Sequence, residues 1–167
     1  AVVIDGAVMT HSLSPMYRLL ILGAGDVAKF VAEMAIALEY DVMLCDPRPN
    51  YLDNWTVPGV ETTAQLPDDV VRERFSNPYS GIIALAHDPR VDDMALMEAL
   101  KTNAFYIGAM GSVRTSAARR ERLPELGLSS DEIDRLHAPI GFQINSKTPA
   151  EIAIAVMAEI TSVRYQQ

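Results

Sequence analysis

Leu19-Leu20-Ile21-Leu22 is a run of four apolar residues that stops at Gly23. A run this short, with no polar alternation, fits a strand buried on both faces. Val27, Val31, Met34, Ala35 and Leu38 then recur at spacings of three and four, which puts them on one helical face. The stretch predicts strand, tight turn, helix, and the same alternation continues down the chain. Residues 41–45 predict a second strand ending in the acid Asp46, 60–63 a short third strand and 67–75 a short helix. Residues 81–86 predict a buried fourth strand. Residues 92–100 predict a helix with Met94, Met97 and Leu100 inward, and 104–107 a fifth strand broken by Gly108-Ala109-Met110-Gly111. Strands and helices alternating over short connections predict an α/β fold: a doubly wound parallel sheet, helices on both faces, right-handed crossovers and strand order 3-2-1-4-5.

Beyond the fifth strand, Ser112 opens an arginine-rich helix to about Leu123, which Pro124 and Gly127 end. Ser129 or Ser130 caps a short helix over 131–136, and 137–141 read as an apolar turn. Thr148-Pro149-Ala150-Glu151 is a capping box with proline at the first helical position, and it launches a mostly apolar helix to about Tyr165. Apolar residues on several of its faces imply burial against the sheet or against a second copy of the chain, as in a homodimer. Ahead of the first strand, residues 1–9 read as a short hairpin or one extra edge strand, and 11–15 as a polar connector. The expected organisation is an extension over 1–17 and the α/β domain over 18–167. Asp46-Pro47-Arg48-Pro49-Asn50 is a loop, because two prolines remove donors and fix the backbone. Trp55, the one tryptophan, reads as an aromatic plug at one end of the core.

With 167 residues, 49% hydrophobic and 22% charged, the chain has the size and balance of one soluble globular domain. Acids exceed bases by 22 to 14, a net charge of −8, which disfavours nucleic-acid and membrane-surface partners. Apolar runs such as 152–158 are far short of a membrane span. A single cysteine, Cys45, allows no internal disulfide and no zinc site of its own, so a reducing cytoplasm is the expected compartment.

Gly23, Gly25 and Ala28 form G-x-G-x-x-A, the alanine-ended dinucleotide fingerprint. Gly23 permits the turn, Gly25 lets a pyrophosphate approach, and the N–H groups around Asp26 and Val27 at the helix start face the anion. Asp46 follows at the distance of a ribose contact, while Arg48 could receive a 2′-phosphate, so NAD and NADP both stay open. Asp26 is good for the helix dipole yet brings negative charge near the phosphate seat. The predicted strand order gathers loops 23–28, 46–48, 87–90 and 108–114 above one crevice. His87, beside Asp88, is the candidate proton carrier or ligand there, or else caps the Pro89 turn. Gly108, Gly111, Ser112 and Arg114 form a second glycine turn that is either an anion site or a chain reversal. Arg119, Arg120 and Arg122 are assigned to a solvated face, paired with Glu121 and Glu125. His137 reads as a packed turn residue and Cys45 as core. No nucleophile–base pair and no metal-ligand spacing emerges, so the residues lead to a binding crevice without a catalytic engine.

Several segments together resemble the carboxyl-terminal Rossmann domain of the xanthine dehydrogenase accessory protein family, the XdhC/CoxI type. They are Leu19 to Gly25 with Val27-Ala28, Asp46-Pro47-Arg48, His87-Asp88, the stretch 104–112, His137-Ala138-Pro139-Ile140-Gly141, and Thr148 to Ala153. The resemblance implies an accessory, chaperone-like factor that binds or handles the molybdenum cofactor, a molybdopterin, or a nucleotide, and it leaves open whether the factor also catalyses a step. Its implied partners are a molybdenum hydroxylase such as xanthine dehydrogenase and a cysteine desulfurase. It also directs His87, His137 and the loop 108–114 toward the ligand. Members of the family usually carry histidine where this chain has Asp26, and longer members carry an amino-terminal domain, so a fragment or a short form is expected. Two rivals stand beside this reading: a small NAD(P)-dependent oxidoreductase and a nucleotide-sensing binding module.

Overall fold

Neighbouring residues of each central strand belong to opposite layers. Leu20, Leu22, Met43, Ile82, Ala84 and Ile107 enter one core, and Leu19, Ile21, Val42, Leu44, Ile83 and Tyr106 the other. This is the period of two that a pleated strand imposes, and it makes the predicted strands continuously apolar because both faces are covered. The computed structural model describes residues 2–5, 8–11 and 15–167, with side chains from residue 15 onward.

In chain order, β1 (Val2–Asp5) and β2 (Val8–His11) pair antiparallel as a separate two-stranded sheet. Of the two readings of the opening residues, the hairpin is therefore the one realised. Residues 1, 6–7 and 12–14, on which parts of the hairpin and connector readings fall, lie outside the described residues. Then come β3 (Arg18–Leu22), α1 (Asp26–Ala37), β4 (Asp41–Cys45), β5 (Glu61–Thr63), α2 (Pro67–Arg74), β6 (Ser80–Ala84) and α3 (Pro89–Ala99). They are followed by β7 (Tyr106–Ala109), α4 (Val113–Arg122), a 3-10 turn (Leu123–Leu126), α5 (Ser130–Asp134), β8 (Leu136–His137) and α6 (Pro149–Arg164). The main sheet runs β5-β4-β3-β6-β7-β8, parallel throughout. This is the expected 3-2-1-4-5 order with a sixth strand added. Helices α1 and α6 pack together on one face, and α2 and α3 on the other.

Three local expectations need correction. Residues 137–141 do not begin as a turn: Leu136 and His137 pair with Ile107 and Gly108 as a parallel edge strand. Strand β7 continues through Gly108 and Ala109, which pair with Ile83 and Ala84 of β6, and the space that a side chain at Gly108 would fill is taken by Ile140. Helix α3 starts at Pro89 behind its Asp88 cap, so Val91, Ala95, Leu96 and Ala99 face inward while Met94 and Met97 are half-buried.

The parallel strands bring all their carboxyl ends to one edge, and backbone bonds continue along it past the strands. Gly23 N–H donates to Cys45 O (2.9 Å), Leu85 N–H to Leu22 O (2.8 Å), Met110 N–H to Ala84 O (2.9 Å) and Ile140 N–H to Ala109 O (3.0 Å). Four loops are thus tied in a row. Gly23 has φ +98°, and a Cβ there would stand 2.5 Å from Ala86 Cα, so both conformation and space require glycine. Gly25 has φ −102° and ψ −174°, extended backbone open to any residue, and a Cβ there would meet nothing within 4 Å. Gly23→Ala should therefore lower unfolding stability by about 1–3 kcal/mol or more, whereas Gly25→Ala should leave it nearly unchanged. Urea midpoints of the two variants measure the contrast, and equal midpoints would contradict it.

Candidate functional site

At the centre of that edge, α1 begins at Gly25 with no side-chain cap. Its first-turn N–H groups have no intrahelical acceptor, and Val27, a buried side chain, offers the site only its backbone. Asp26 is exposed in the first turn. The neighbouring helices are closed by their own side chains. Asp88 accepts from Arg90 N–H (3.0 Å) at α3, and Ser112 accepts from Thr115 N–H (3.1 Å) at α4. Asp88 is further held by the Arg90 guanidinium, Nη2 to Oδ2 at 2.8 Å. The two glycines of the fingerprint thus divide: the protein's own packing dictates Gly23, and nothing in it accounts for Gly25.

Asp46 is fully buried. One carboxylate oxygen accepts from Ala24 N–H (2.9 Å) and Arg48 Nη2 (2.8 Å), the other from Arg48 N–H (3.1 Å) and Nε (3.0 Å). Burial alone would push the carboxyl up, but the bonds from Arg48 and Ala24 together outweigh it and hold the group below the usual carboxylate range. The acid expected at a ribose is thus enclosed in a clasp that fastens the Gly23–Gly25 turn to the end of β4. Arg48, expected at a 2′-phosphate, closes that clasp, and its guanidinium stacks 3.7 Å from the Tyr51 ring centre.

Farther along the edge, His87 is exposed, with φ +58°. It lines a small cavity of about 180 Å³ with Met110, Gly111, Thr115 and Arg119 among others. Gly111 sits where an added Cβ would stand 2.6 Å from Thr115 Oγ1, so the first turn of α4 packs against it. A second groove of about 280 Å³ lies beside it between Met110 and the 139–147 loop, lined by Ile140, Phe142, Ile144 and Lys147 among others. Arg114 is exposed and borders neither cavity. Gly108 is inside β7 beneath Ile140, and Cys45, pushed up to about 12 by burial and then by Asp46, is an unreactive core thiol. Among the described residues no three or more His, Cys, Asp or Glu side chains converge as metal ligands.

The assignment of Arg119, Arg120 and Arg122 to a solvated face is overturned. Arg119 is 5% exposed and donates through Nε to Asp93 (3.0 Å), which also receives Nε (3.2 Å) and Nη2 (2.9 Å) of Arg122. Arg120 reaches back to Ala138 O (2.7 Å) and Leu136 O (3.0 Å), fastening β8 to α4. The signal is present in the sequence: Ser116, Arg119 and Leu123 recur at three and four, which marks the inward face of a helix whose charged residues disguise it. Asp92 escapes a reading of the sequence for the same reason. It is fully buried, accepts from Ala86 N–H (3.1 Å), and burial pushes it up to about 6. His137 lies in β8, stacked on Tyr106 at 4.6 Å and 3.5 Å from Glu159, to which Tyr106 donates at 2.6 Å. That cluster joins α6 to the sheet.

The family model of the XdhC Rossmann domain matches residues 19–160. The chain belongs to that family. It is 31% identical to a molybdenum cofactor insertion chaperone, PaoD, of Escherichia coli, over 92% of this chain and 42% of that protein. It is 27% identical to a probable xanthine dehydrogenase subunit of Bacillus subtilis, over 91% of this chain and 44% of that one. A crystal structure of a xanthine dehydrogenase from Bacillus halodurans matches with a TM-score of 0.77 and 27% identity, covering 92% of this chain and 44% of that one. The chain spans less than half the length of each of these relatives. In this XdhC domain the tied row of loops frames the carboxyl edge, and the acid–arginine clasp and the buried Arg119 are its local features.

Two outcomes follow from those charges. Arg48→Ala leaves Asp46 buried without its partner and should cost about 3 kcal/mol of stability, read from urea unfolding; an unchanged midpoint would show the clasp dispensable. Asp92 has a raised pKa in the folded protein, so the cost of keeping it ionised grows as pH rises from about 4 to about 6 and is constant above. The stability of Asp92→Asn relative to the parent should increase over that window by up to about 3 kcal/mol and then level off, and a pH-independent difference would refute the assignment.

Proposed function

We propose that this XdhC domain is an accessory factor for a molybdenum hydroxylase of the xanthine dehydrogenase type, which holds the molybdenum cofactor by its anionic tail at the start of α1. The observation that carries the reading is the open space over Gly25 at a helix start without a side-chain cap, which leaves an anion free to approach the first-turn N–H groups. The chemistry of the cofactor matches: a pterin carries a phosphate or a nucleotide tail, and the groove beside Met110, with Ile140 and Phe142 on its wall, offers apolar surface to a planar ring. The names of the relatives, one a cofactor insertion chaperone and others xanthine dehydrogenase proteins, support the same assignment. The role is to hold and hand over the cofactor, with the hydroxylase as receiver. A nicotinamide dinucleotide suits the edge less well, because the acid that would receive its ribose is sealed beneath Arg48.

Calorimetric titration with isolated molybdenum cofactor, NADH and NADPH tests the reading. The cofactor should bind more tightly than either nucleotide, and Gly25→Val should weaken it at least about tenfold without loss of stability, since the new side chain enters only the ligand's space. Unchanged affinity in Gly25→Val would move the ligand elsewhere, and tighter nicotinamide binding with turnover would replace the accessory role by an oxidoreductase.

A further inference from the structure

The stretch of the groove beside Met110 that runs from Gln143 to Ser146 spends few of its hydrogen-bonding groups on the protein itself. Among the described residues, the backbone N–H groups of Gln143, Ile144, Asn145 and Ser146 have no acceptor and the side-chain amides of Gln143 and Asn145 have no partner, while the Ser146 hydroxyl donates to Glu151 O (3.4 Å). Both ends of the stretch are nevertheless fastened. Phe142 N–H donates to Ala155 O (3.2 Å) and Gly141 N–H to Glu159 (3.2 Å) on one side, and Lys147 and Thr148 N–H donate to Glu151 (2.8 and 3.0 Å) on the other. Asn145, with φ +59°, turns the backbone between them. A segment clamped at both ends has little freedom left to lose when it meets a ligand, so its unpaired groups can bind at low entropic cost.

The groove, of about 280 Å³, joins this polar stretch to apolar surface from Met110, Ile140, Ile152 and Phe142, the last with its side chain 44% exposed. Apolar surface edged by amides suits a flat heteroaromatic ring: the faces of the ring meet the apolar side chains, and its edge meets donors and acceptors. Charge narrows the choice. Among the described residues that line the groove Lys147 is the one charged side chain, so a cationic ring finds a lysine there and no counter-charge. Side-chain amides carry a donor and an acceptor side by side, and they match a ring edge that presents both kinds.

We infer that Gln143 and Asn145 read the edge of the ring that this groove receives, and that the ring is a 2-amino-4-oxo fused pyrimidine, the chemistry shared by a pterin and a guanine. The choice of this edge rests on the proposed cofactor role; what it adds is the residues that select the ring. The two amides exchange hydrogen bonds with the oxo, ring N–H and amino groups, and Phe142 covers a ring face.

Pterin and lumazine, fluorescent rings that carry an amino and an oxo group respectively at position 2, test it when titrated into the full chain and followed by quenching. Pterin should bind saturably and at least about tenfold more tightly than lumazine. Guanosine, titrated by calorimetry, separates the two sources: affinity below that of pterin assigns a pterin, and equal or higher affinity assigns a guanine base; either supports the edge reading. Gln143 and Asn145 are exposed, and glycine tolerates the positive φ at the second position, so Gln143→Ala/Asn145→Gly should keep its melting temperature. It should weaken pterin at least about tenfold, to the level of lumazine. Phe142→Ala should weaken both rings alike. No saturable binding of pterin, equal affinity for pterin and lumazine, or parental pterin affinity in either variant overturns the inference. Neither ring carries a phosphate, so Gly25→Val should leave both titrations as they are, and loss of pterin binding in that variant also overturns the inference by moving the ring to α1. Whole cofactor that binds and is weakened by Gly25→Val, with no binding of pterin alone, overturns the ring reading and leaves the tail seat intact. Pterin that needs Gln143 and Asn145, with a cofactor indifferent to Gly25→Val, supports the ring reading and removes the tail seat.

Discussion

Everything at the carboxyl edge depends on how closely two loops can pass: Gly23 lies against the backbone of Ala86, at a separation that no residue with a Cβ could keep. That approach lets Leu85 N–H reach Leu22 O and begins the row of backbone bonds that runs on through Met110 and Ile140. Without it, the loops after β3 and β6 would splay, and the crevice where the strand order reverses would lose its walls. The site is therefore a property of the backbone before it is a property of any side chain.

Arginine fastens the sheet at both of its ends. Arg48 closes the acid at the end of β4, Arg120 fastens the edge strand β8 through two carbonyls, and Arg135 gathers the carbonyls of Leu100, Thr102 and Ala104 in the approach to β7. A guanidinium carries five donors in a fixed plane, so one side chain can satisfy several acceptors that a strand or helix end leaves over. In a chain of net charge −8 the cations near the edge are thus largely committed to structure.

Most of the architecture is legible in the sequence because hydrophobic period and turn chemistry agree over residues 19–109: continuous apolar runs for strands covered on both faces, three-and-four spacing for α1, glycine at the turn. The sixth strand is not legible, since Leu136-His137 is two residues long and pairs only because β7 offers an open edge. Gly108 misleads for a related reason. Its glycine signals a turn by composition, whereas the structure uses it inside a strand to admit Ile140. Of the site, Gly23 and Gly25 follow from spacing, but the difference between them depends on what lies above each, which no spacing encodes. Arg119 and Asp92 are hidden because charge reads as a sign of solvent; tertiary partners, Asp93 for the first and the Ala86 N–H for the second, overturn that rule.

The clasp on Asp46 bears on which ligands the edge can discriminate. In a dinucleotide site, the acid after the second strand supplies selectivity by meeting ribose hydroxyls, and that requires an oxygen within reach. Here both oxygens are occupied and solvent is excluded, so the adenosine side of the crevice lacks its reader. What the edge leaves open is the uncapped helix start at Gly25, beside the glycine-backed wall at Gly111. Because the overall field of an acidic protein repels anions, such a half-site can hold one only through short-range, oriented donors. Selectivity then falls to whatever the anion is attached to and to the walls that meet it, which at this edge are the apolar residues Met110, Ile140 and Phe142 and not a sugar-binding acid.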